Sequence, residues 1–275
     1  MRSHYADVNG LRLHYLEEGS GLPVLFLHGW PTNAQLWRKI LPSVGKHRRA
    51  IALDLPGFGA SDKPIDRRYD FKFYEDTLEG FREHLGVEKL GLAVHDLGGP
   101  VGLYWATRHA ERVTDLAVLN TLVYPEFSLT LKLFMLALRT PGVRRFLTSP
   151  RGIAGAMRIG VQNKRCVNRE VAALYQKPYE SDDARKALLL SALGASVGGF
   201  HQIKNGLAEI KAPVRVVYGR KDRILPDVAE TMRRLESSLP QAEFTALADT
   251  GHFLQEDAPE EVAELLAEFF SRHAA

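Results

Sequence analysis

Three side chains suited to nucleophilic and acid–base chemistry each stand just beyond a short apolar run: Asp96, Asp222 and His252. Asp96 lies in Val94-His95-Asp96-Leu97-Gly98-Gly99, between a strand-like stretch and a helical pattern. Asp222 lies in Tyr218-Gly219-Arg220-Lys221-Asp222, with Asp227 a weaker rival nearby, and His252 lies in Asp249-Thr250-Gly251-His252. Carboxylates and an imidazole are the groups from which covalent and general-base catalysis are built. Each aspartate also has a plainer reading, as the N-cap of a helix or as a turn residue bonded to its own backbone. A carboxylate that acts as nucleophile needs no base for its attack. On an ester carbonyl it would give a high-energy anhydride, whereas on saturated carbon it gives a stable alkyl ester.

The elements that must position these groups follow a regular order. Val8-Asn9-Gly10 before alternating apolar residues predicts an N-terminal antiparallel hairpin. Short apolar runs predict strands at 23–27, 50–53, 89–94, 116–119, 214–218 and 243–247, most of them buried on both faces. Apolar residues at helical spacing predict helices over 34–43, 73–85, 98–109, 228–239 and 259–273. Strand alternating with helix predicts an α/β fold, a mostly parallel sheet flanked by helices with ligands at the carboxyl ends of its strands.

The alternation breaks between about Leu122 and Asn205, where helix-like segments are interrupted at Thr140-Pro141-Gly142, Ser149-Pro150-Arg151-Gly152 and Lys177-Pro178. This predicts a core of residues 1–121 and 206–275, with a helical cap over 122–205 inserted at the carboxyl edge of the sheet. Phe127, Leu131, Phe134, Met135, Phe146 and Met157 of the cap suit a dry pocket. The apolar stretch 129–138, interrupted by Lys132 and too short to span a bilayer, is expected to bury against protein.

With 45% hydrophobic and 25% charged residues in 275, the chain is neither disordered nor fibrous. Its net charge of +3, from 36 Lys+Arg against 33 Asp+Glu, is too small to propose a nucleic acid or an anionic membrane as partner. The start, Met1 to Gly10, lacks the apolar run of a secretory signal, and the single cysteine, Cys166, reads as a bystander; the expectation is a cytoplasmic protein, monomeric or a small homo-oligomer. No ligand spacing or glycine loop suggests a metal, nucleotide or flavin, so no cofactor is expected.

The stretch around Asp96 resembles the nucleophile elbow of the alpha/beta-hydrolase family, in which the nucleophile stands on a strained strand-to-helix turn among small residues. Val94 departs from the glycine usual two positions before a serine nucleophile, and an aspartate here resembles the branch of haloalkane dehalogenases and epoxide hydrolases. His28-Gly29-Trp30-Pro31 resembles the family's oxyanion loop, which implies that the backbone N–H groups of Trp30 and Leu97 converge near Asp96 while His28 merely orders the loop. Asp54-Leu55-Pro56-Gly57-Phe58-Gly59 resembles a loop that marks the fold. The turn at Asp222 resembles the acid-bearing turn and the loop at His252 the histidine loop, in the family's chain order of nucleophile, acid and histidine. Some dehalogenases carry the acid after the strand ending at Leu119, where this chain has Asn120 and Thr121, so Asp222 is preferred. The resemblance implies that Asp96 forms an alkyl ester, which water activated by His252, held by Asp222, then hydrolyses.

Help for the leaving group separates the two relatives. A halide needs N–H donors in an apolar pocket, and an epoxide oxygen needs an acid, for which Tyr124, Tyr175 and Tyr179 of the cap are the candidates. Dehalogenases normally carry Trp after the nucleophile, where this chain has Leu97; the Trp30 indole is a possible halide donor. Overall likeness leans to dehalogenases, through Asp62-Lys63-Pro64, Tyr175-Gln176-Lys177-Pro178-Tyr179 and His252-Phe253-Leu254-Gln255-Glu256-Asp257. Leu97 stands where haloacetate dehalogenases place Arg, which points to a small neutral apolar substrate. Epoxide hydrolysis by the same triad and a non-catalytic binding protein are the alternatives, the latter predicting a broken triad.

Overall fold

A computed structural model describes residues 1–273. The chain opens with β1 (Arg2–Val8) and β2 (Leu11–Glu18), an antiparallel hairpin whose turn residues Asn9 and Gly10 have φ of 51° and 77°. Asparagine and glycine tolerate that left-handed pair of positions, which matches the twist of the strands. β3 (Pro23–Leu27) leads through a 3-10 turn (Ala34–Trp37) and α1 (Leu41–Val44) to β4 (Arg49–Leu53). Then come α2 (Phe71–His84), β5 (Leu90–Asp96), α3 (Gly98–Arg108) and β6 (Val113–Thr121).

Six helices follow before the sheet resumes: α4 (Leu129–Arg139), α5 (Pro141–Leu147), α6 (Pro150–Gly160), α7 (Arg169–Gln176), α8 (Asp182–Leu193) and α9 (Val197–Gly206). Five are capped by a side-chain oxygen, from Ser128, Ser149, Asn168, Ser181 and Ser196. Such caps satisfy the free N–H groups of a first turn and mark each start in the sequence. β7 (Val214–Gly219), α10 (Val228–Ser238), β8 (Ala242–Leu247), α11 (Leu254–Asp257) and α12 (Pro259–Ser271) complete the chain.

The eight strands form one sheet in the order β1-β2-β4-β3-β5-β6-β7-β8. β2 is antiparallel to β1 and β4, and every other pairing is parallel. β3 and β5 are buried at every residue, which is why they read as unbroken apolar runs. The strand order turns back at β3, so its neighbours β4 and β5 connect outward in opposite directions, and the crevice opens there. Leu27 is paired with Val94 across that switch point, which sets the residues after β3 beside the end of β5.

Two expectations change. Residues 34–43 do not form one helix, because the ring of Pro42 would collide with the carbonyl of Arg38 four residues earlier; the segment breaks into a 3-10 turn and a separate short helix. The apolar stretch on α4 is not buried all round: Leu129, Leu133 and Leu136 are 71%, 56% and 60% exposed. Only its other side meets the rest of the protein. No helix among the described residues is long and apolar enough to cross a membrane.

Candidate active site

Asp96 is the last residue of β5 and holds φ at 49°, a left-handed conformation that a branched or carboxylate side chain enters at a cost of about 1–3 kcal/mol. The surroundings hold it there. Thr121 Oγ1 donates to the Asp96 carbonyl at 2.6 Å, and a Cβ at Gly99 would fall 1.7 Å from the same hydroxyl. A Cβ at Gly98 would meet the Leu27 and His28 carbonyls at 2.5 Å, and one at Gly29 would meet Asp96 itself at 2.2 Å. Val94, in place of the usual glycine, is accommodated from the far side, because Gly102 leaves the space that the Val94 methyl fills.

The loop after β3 supplies the first partner of the carboxylate. The Trp30 backbone N–H donates to Asp96 Oδ1 at 2.6 Å. His28 lies beneath it, fully buried, accepting the Leu55 N–H on Nε2 at 3.2 Å and bonding the Gly29 carbonyl through Nδ1 at 3.0 Å. Burial drives its pKa down, so the ring is a neutral brace for the loop.

His252 stands between two carboxylates. Its Nε2 is 3.2 Å from Asp96 Oδ2, and its Nδ1 is 2.8 Å from Asp222 Oδ2. Burial alone would lower the pKa of this ring, but the charge and hydrogen bond of Asp222, joined by Asp96, outweigh it and push the value up to about 10. Burial likewise opposes charge on Asp96 and Asp222; His252 outweighs it at both and holds them below the usual carboxylate range, with the Leu97 N–H helping at Asp96. Asp227 forms no hydrogen bond or ion pair with the ring among the described residues, whereas Asp222 Oδ1 also accepts the N–H groups of Ile224 and Leu225, both at 2.8 Å.

Two residues that sequence reasoning gave no role join this group. Asn120 donates to Asp222 Oδ2 at 2.7 Å and accepts the Gly219 N–H at 2.8 Å, so it orients the carboxylate that orients the imidazole. His95 bonds the His252 carbonyl through Nε2 at 2.9 Å, its pKa lowered to about 3 by burial and then by the charge of His252. A polar residue interrupting an apolar buried strand was the signal available for His95, and for Asn120 its place just after the strand predicted to end at Leu119, where some dehalogenases carry the acid, was a further one.

Two adjoining cavities, about 90 and 170 Å³, share Trp30, Asp96, Leu122, Leu131 and Phe134 as walls. Leu97, Phe127, Met135 and Phe200 also line the first, and Phe253, Ile224 and Arg223 the second. The space before the Asp96 carboxylate is therefore mostly apolar, with Arg223 at the far wall of the second cavity, and α4 forms part of its wall through Leu131, Phe134 and Met135. Of the cap residues expected around a dry pocket, Met157 is buried away from these walls and Phe146 is 59% exposed.

Residues 23–259 match the alpha/beta hydrolase fold family. The chain belongs to that family. Along its length this hydrolase is similar to haloalkane dehalogenase 2 of Mycobacterium tuberculosis, 27% identical over 274 residues that cover 98% of this chain and 94% of the relative. It is similar to a cis-3-alkyl-4-alkyloxetan-2-one decarboxylase of Shewanella oneidensis, 28% identical over 98% of this chain and 88% of that one. Among solved structures, haloalkane dehalogenase DatA from Agrobacterium tumefaciens C58 aligns with a TM-score of 0.87 at 26% identity, over 100% of this chain and 97% of that one. The epoxide hydrolase CorEH, at 23% identity and a TM-score of 0.81 over 98% of this chain and 99% of that one, shares the fold.

In this hydrolase none of Tyr124, Tyr175 and Tyr179, expected as acids, lines either cavity. Tyr175 donates to Glu256 Oε1 at 2.6 Å, drawn there by a buried carboxylate that Arg38 and Lys39 also bind. Tyr124 pairs with Ser238 Oγ at 3.1 Å under the Arg234 guanidinium, and Tyr179 is fully buried elsewhere. The Trp30 indole, expected as a halide donor, gives its N–H to the Leu188 carbonyl at 3.1 Å while its ring packs edge-on against Phe134.

Proposed function

We propose that this hydrolase displaces halide from a saturated carbon of a small, neutral, apolar haloalkane, with Asp96 as the nucleophile. One arrangement carries the reading: the Asp96 carboxylate, presented on a left-handed turn, faces an apolar cavity with His252 Nε2 3.2 Å away. In the first step an Asp96 oxygen bonds to the carbon, the carbon–halogen bond breaks, and halide leaves with the bonding pair. His252 is an imidazolium before this step, held by two carboxylates. Esterification removes the charge of Asp96, so only Asp222 favours the proton, the pKa of His252 falls, and the ring gives its proton to solvent and becomes a base.

In the second step His252 takes a proton from water as the water oxygen attacks the Asp96 ester carbonyl. The N–H groups of Trp30 and Leu97 face the resulting oxyanion, each donor commonly worth about 3 kcal/mol in such a site. Collapse gives that proton to the departing alkoxide, and the proton left on the Asp96 carboxyl passes to His252, restoring the carboxylate and the imidazolium. With the Trp30 indole engaged by Leu188 and no tyrosine at the cavity, the leaving group receives no help from an indole or phenol, and the Arg223 guanidinium at the second cavity is the one cationic donor within its walls. That favours bromide and iodide over chloride, and disfavours an epoxide oxygen, which must be protonated as it leaves.

The test is the intact mass of His252→Phe after incubation with 1-bromobutane and, separately, with 1,2-epoxybutane. A butyl adduct on Asp96 with release of bromide is the expected result. An adduct from the epoxide alone would transfer the reading to epoxide hydrolysis, and no adduct on a folded protein would end the alkyl-enzyme mechanism.

A further inference from the structure

We propose that the outer face of α4, α5 and α6 docks on an anionic lipid bilayer. Between Leu129 and Arg165 the chain has eight Lys or Arg and no Asp or Glu, although its net charge is only +3. All eight are exposed, and none meets a carboxylate among the described residues. The same segment holds six of the nine exposed large apolar side chains of the described residues: Leu129, Leu133, Leu136, Val143, Phe146 and Ile159. Soluble proteins rarely leave so much apolar surface together without a partner.

Apolar side chains interleaved with cations on short helices match the interface of a bilayer, with acyl chains below and anionic headgroups around. A nucleic acid would use the cations and leave the six apolar side chains in water. A second copy meeting this face about a two-fold axis would set the six cations of α4 to α6 against six. α4 then has two apolar sides with separate uses, since Leu131, Phe134 and Met135 line the cavities beside Asp96 while Leu129, Leu133 and Leu136 face outward. An apolar substrate dissolved in the bilayer would be concentrated one helix thickness from that cavity. The docking face itself stands whatever reaction the cavity performs.

Flotation with vesicles of phosphatidylcholine alone, and of equal parts phosphatidylcholine and phosphatidylglycerol, tests the proposal. The protein is expected to float with the anionic vesicles and not with the zwitterionic ones, and to be released by high salt. Replacing Arg144→Gln and Arg145→Gln together weakens binding by about 25-fold, roughly fivefold per cation. Leu133→Ser with Phe146→Ser weakens it as well, and both double variants keep the wild-type melting temperature because these side chains are exposed. Equal partition into both vesicle types, or none into either, overturns the proposal. So does undiminished binding by the Leu133→Ser, Phe146→Ser variant, which would mark a surface for a polyanion, and so does a dimer that the arginine replacements dissociate.

Discussion

The backbone N–H of His252 donates to the carbonyl of Gly160 at 2.7 Å. The loop that carries the imidazole is thereby tied to the last turn of α6, outside the sheet. Asp257 reinforces the tie, accepting N–H groups of Gly251, Gln162 and Asn163 at 2.8–2.9 Å. A Cβ at residue 160 would fall 2.4 Å from the Phe253 ring, next to His252.

Gly160→Ala therefore overpacks this junction, at a cost of about 1–3 kcal/mol. The ring of Phe253 and the imidazole must shift, so kcat for 1-bromobutane is expected to fall about tenfold with KM little changed, since misplaced catalytic groups act on the chemical step. Thermal melting alongside steady-state kinetics separates the two effects. An unchanged kcat would show that the loop keeps its position without α6.

Asp96→Asn removes one of the two carboxylates that raise the pKa of His252, and so imitates the charge of the alkylated enzyme. The titration of the His252 ring, followed by NMR, is expected to move down from about 10. The sign is fixed by charge: a neutral amide no longer favours the imidazolium, while burial continues to oppose it. A midpoint at or above the wild-type value would remove the proposed switch from acid to base.

Val94 occupies space that Gly102 leaves open, a Cβ there lying 2.6 Å from the Val94 methyl. Gly102→Ala is expected to destabilise by about 1–3 kcal/mol. In a Val94→Ala background most of that cost should vanish, giving a coupling of about 1 kcal/mol in a double-mutant cycle read from urea unfolding. Additive costs would mean that another neighbour, such as Leu27, takes the strain.

Trp30→Phe keeps the ring beside Phe134 and removes the N–H that binds the Leu188 carbonyl. Because that N–H is engaged, the ratio of kcat/KM for bromobutane to that for chlorobutane should change by less than about twofold. A rise in that ratio of about tenfold or more would show that the indole turns to the leaving group during reaction.

Much of the frame was legible in the residues. β3 and β5 announce themselves because burial on both faces demands apolar side chains throughout, and the Asn9-Gly10 turn because few residues accept positive φ. Asp96, Asp222 and His252 are singled out by their resemblance to the hydrolase motifs, each lying near the end of a strand, where such sheets expose side chains. Asn120, His95 and the Gly160 tie were not legible as partners, for their meaning lies in contacts with residues 102, 157 and 92 positions away along the chain.

Local spacing by itself determined the order of strands and helices and brought three chemically apt side chains to the ends of their strands, because hydrogen-bonded periodicity and turn chemistry act over a few residues. Only the tertiary structure decided where the rest point. It turned the Tyr175 hydroxyl to Glu256 and the Trp30 indole to Leu188, away from the cavity. It also left Leu129, Leu133 and Leu136 of α4, and the Lys and Arg side chains of α4 to α6, in water. A buried polar group takes the nearest available partner, and which partner is nearest depends on how elements distant in sequence come together.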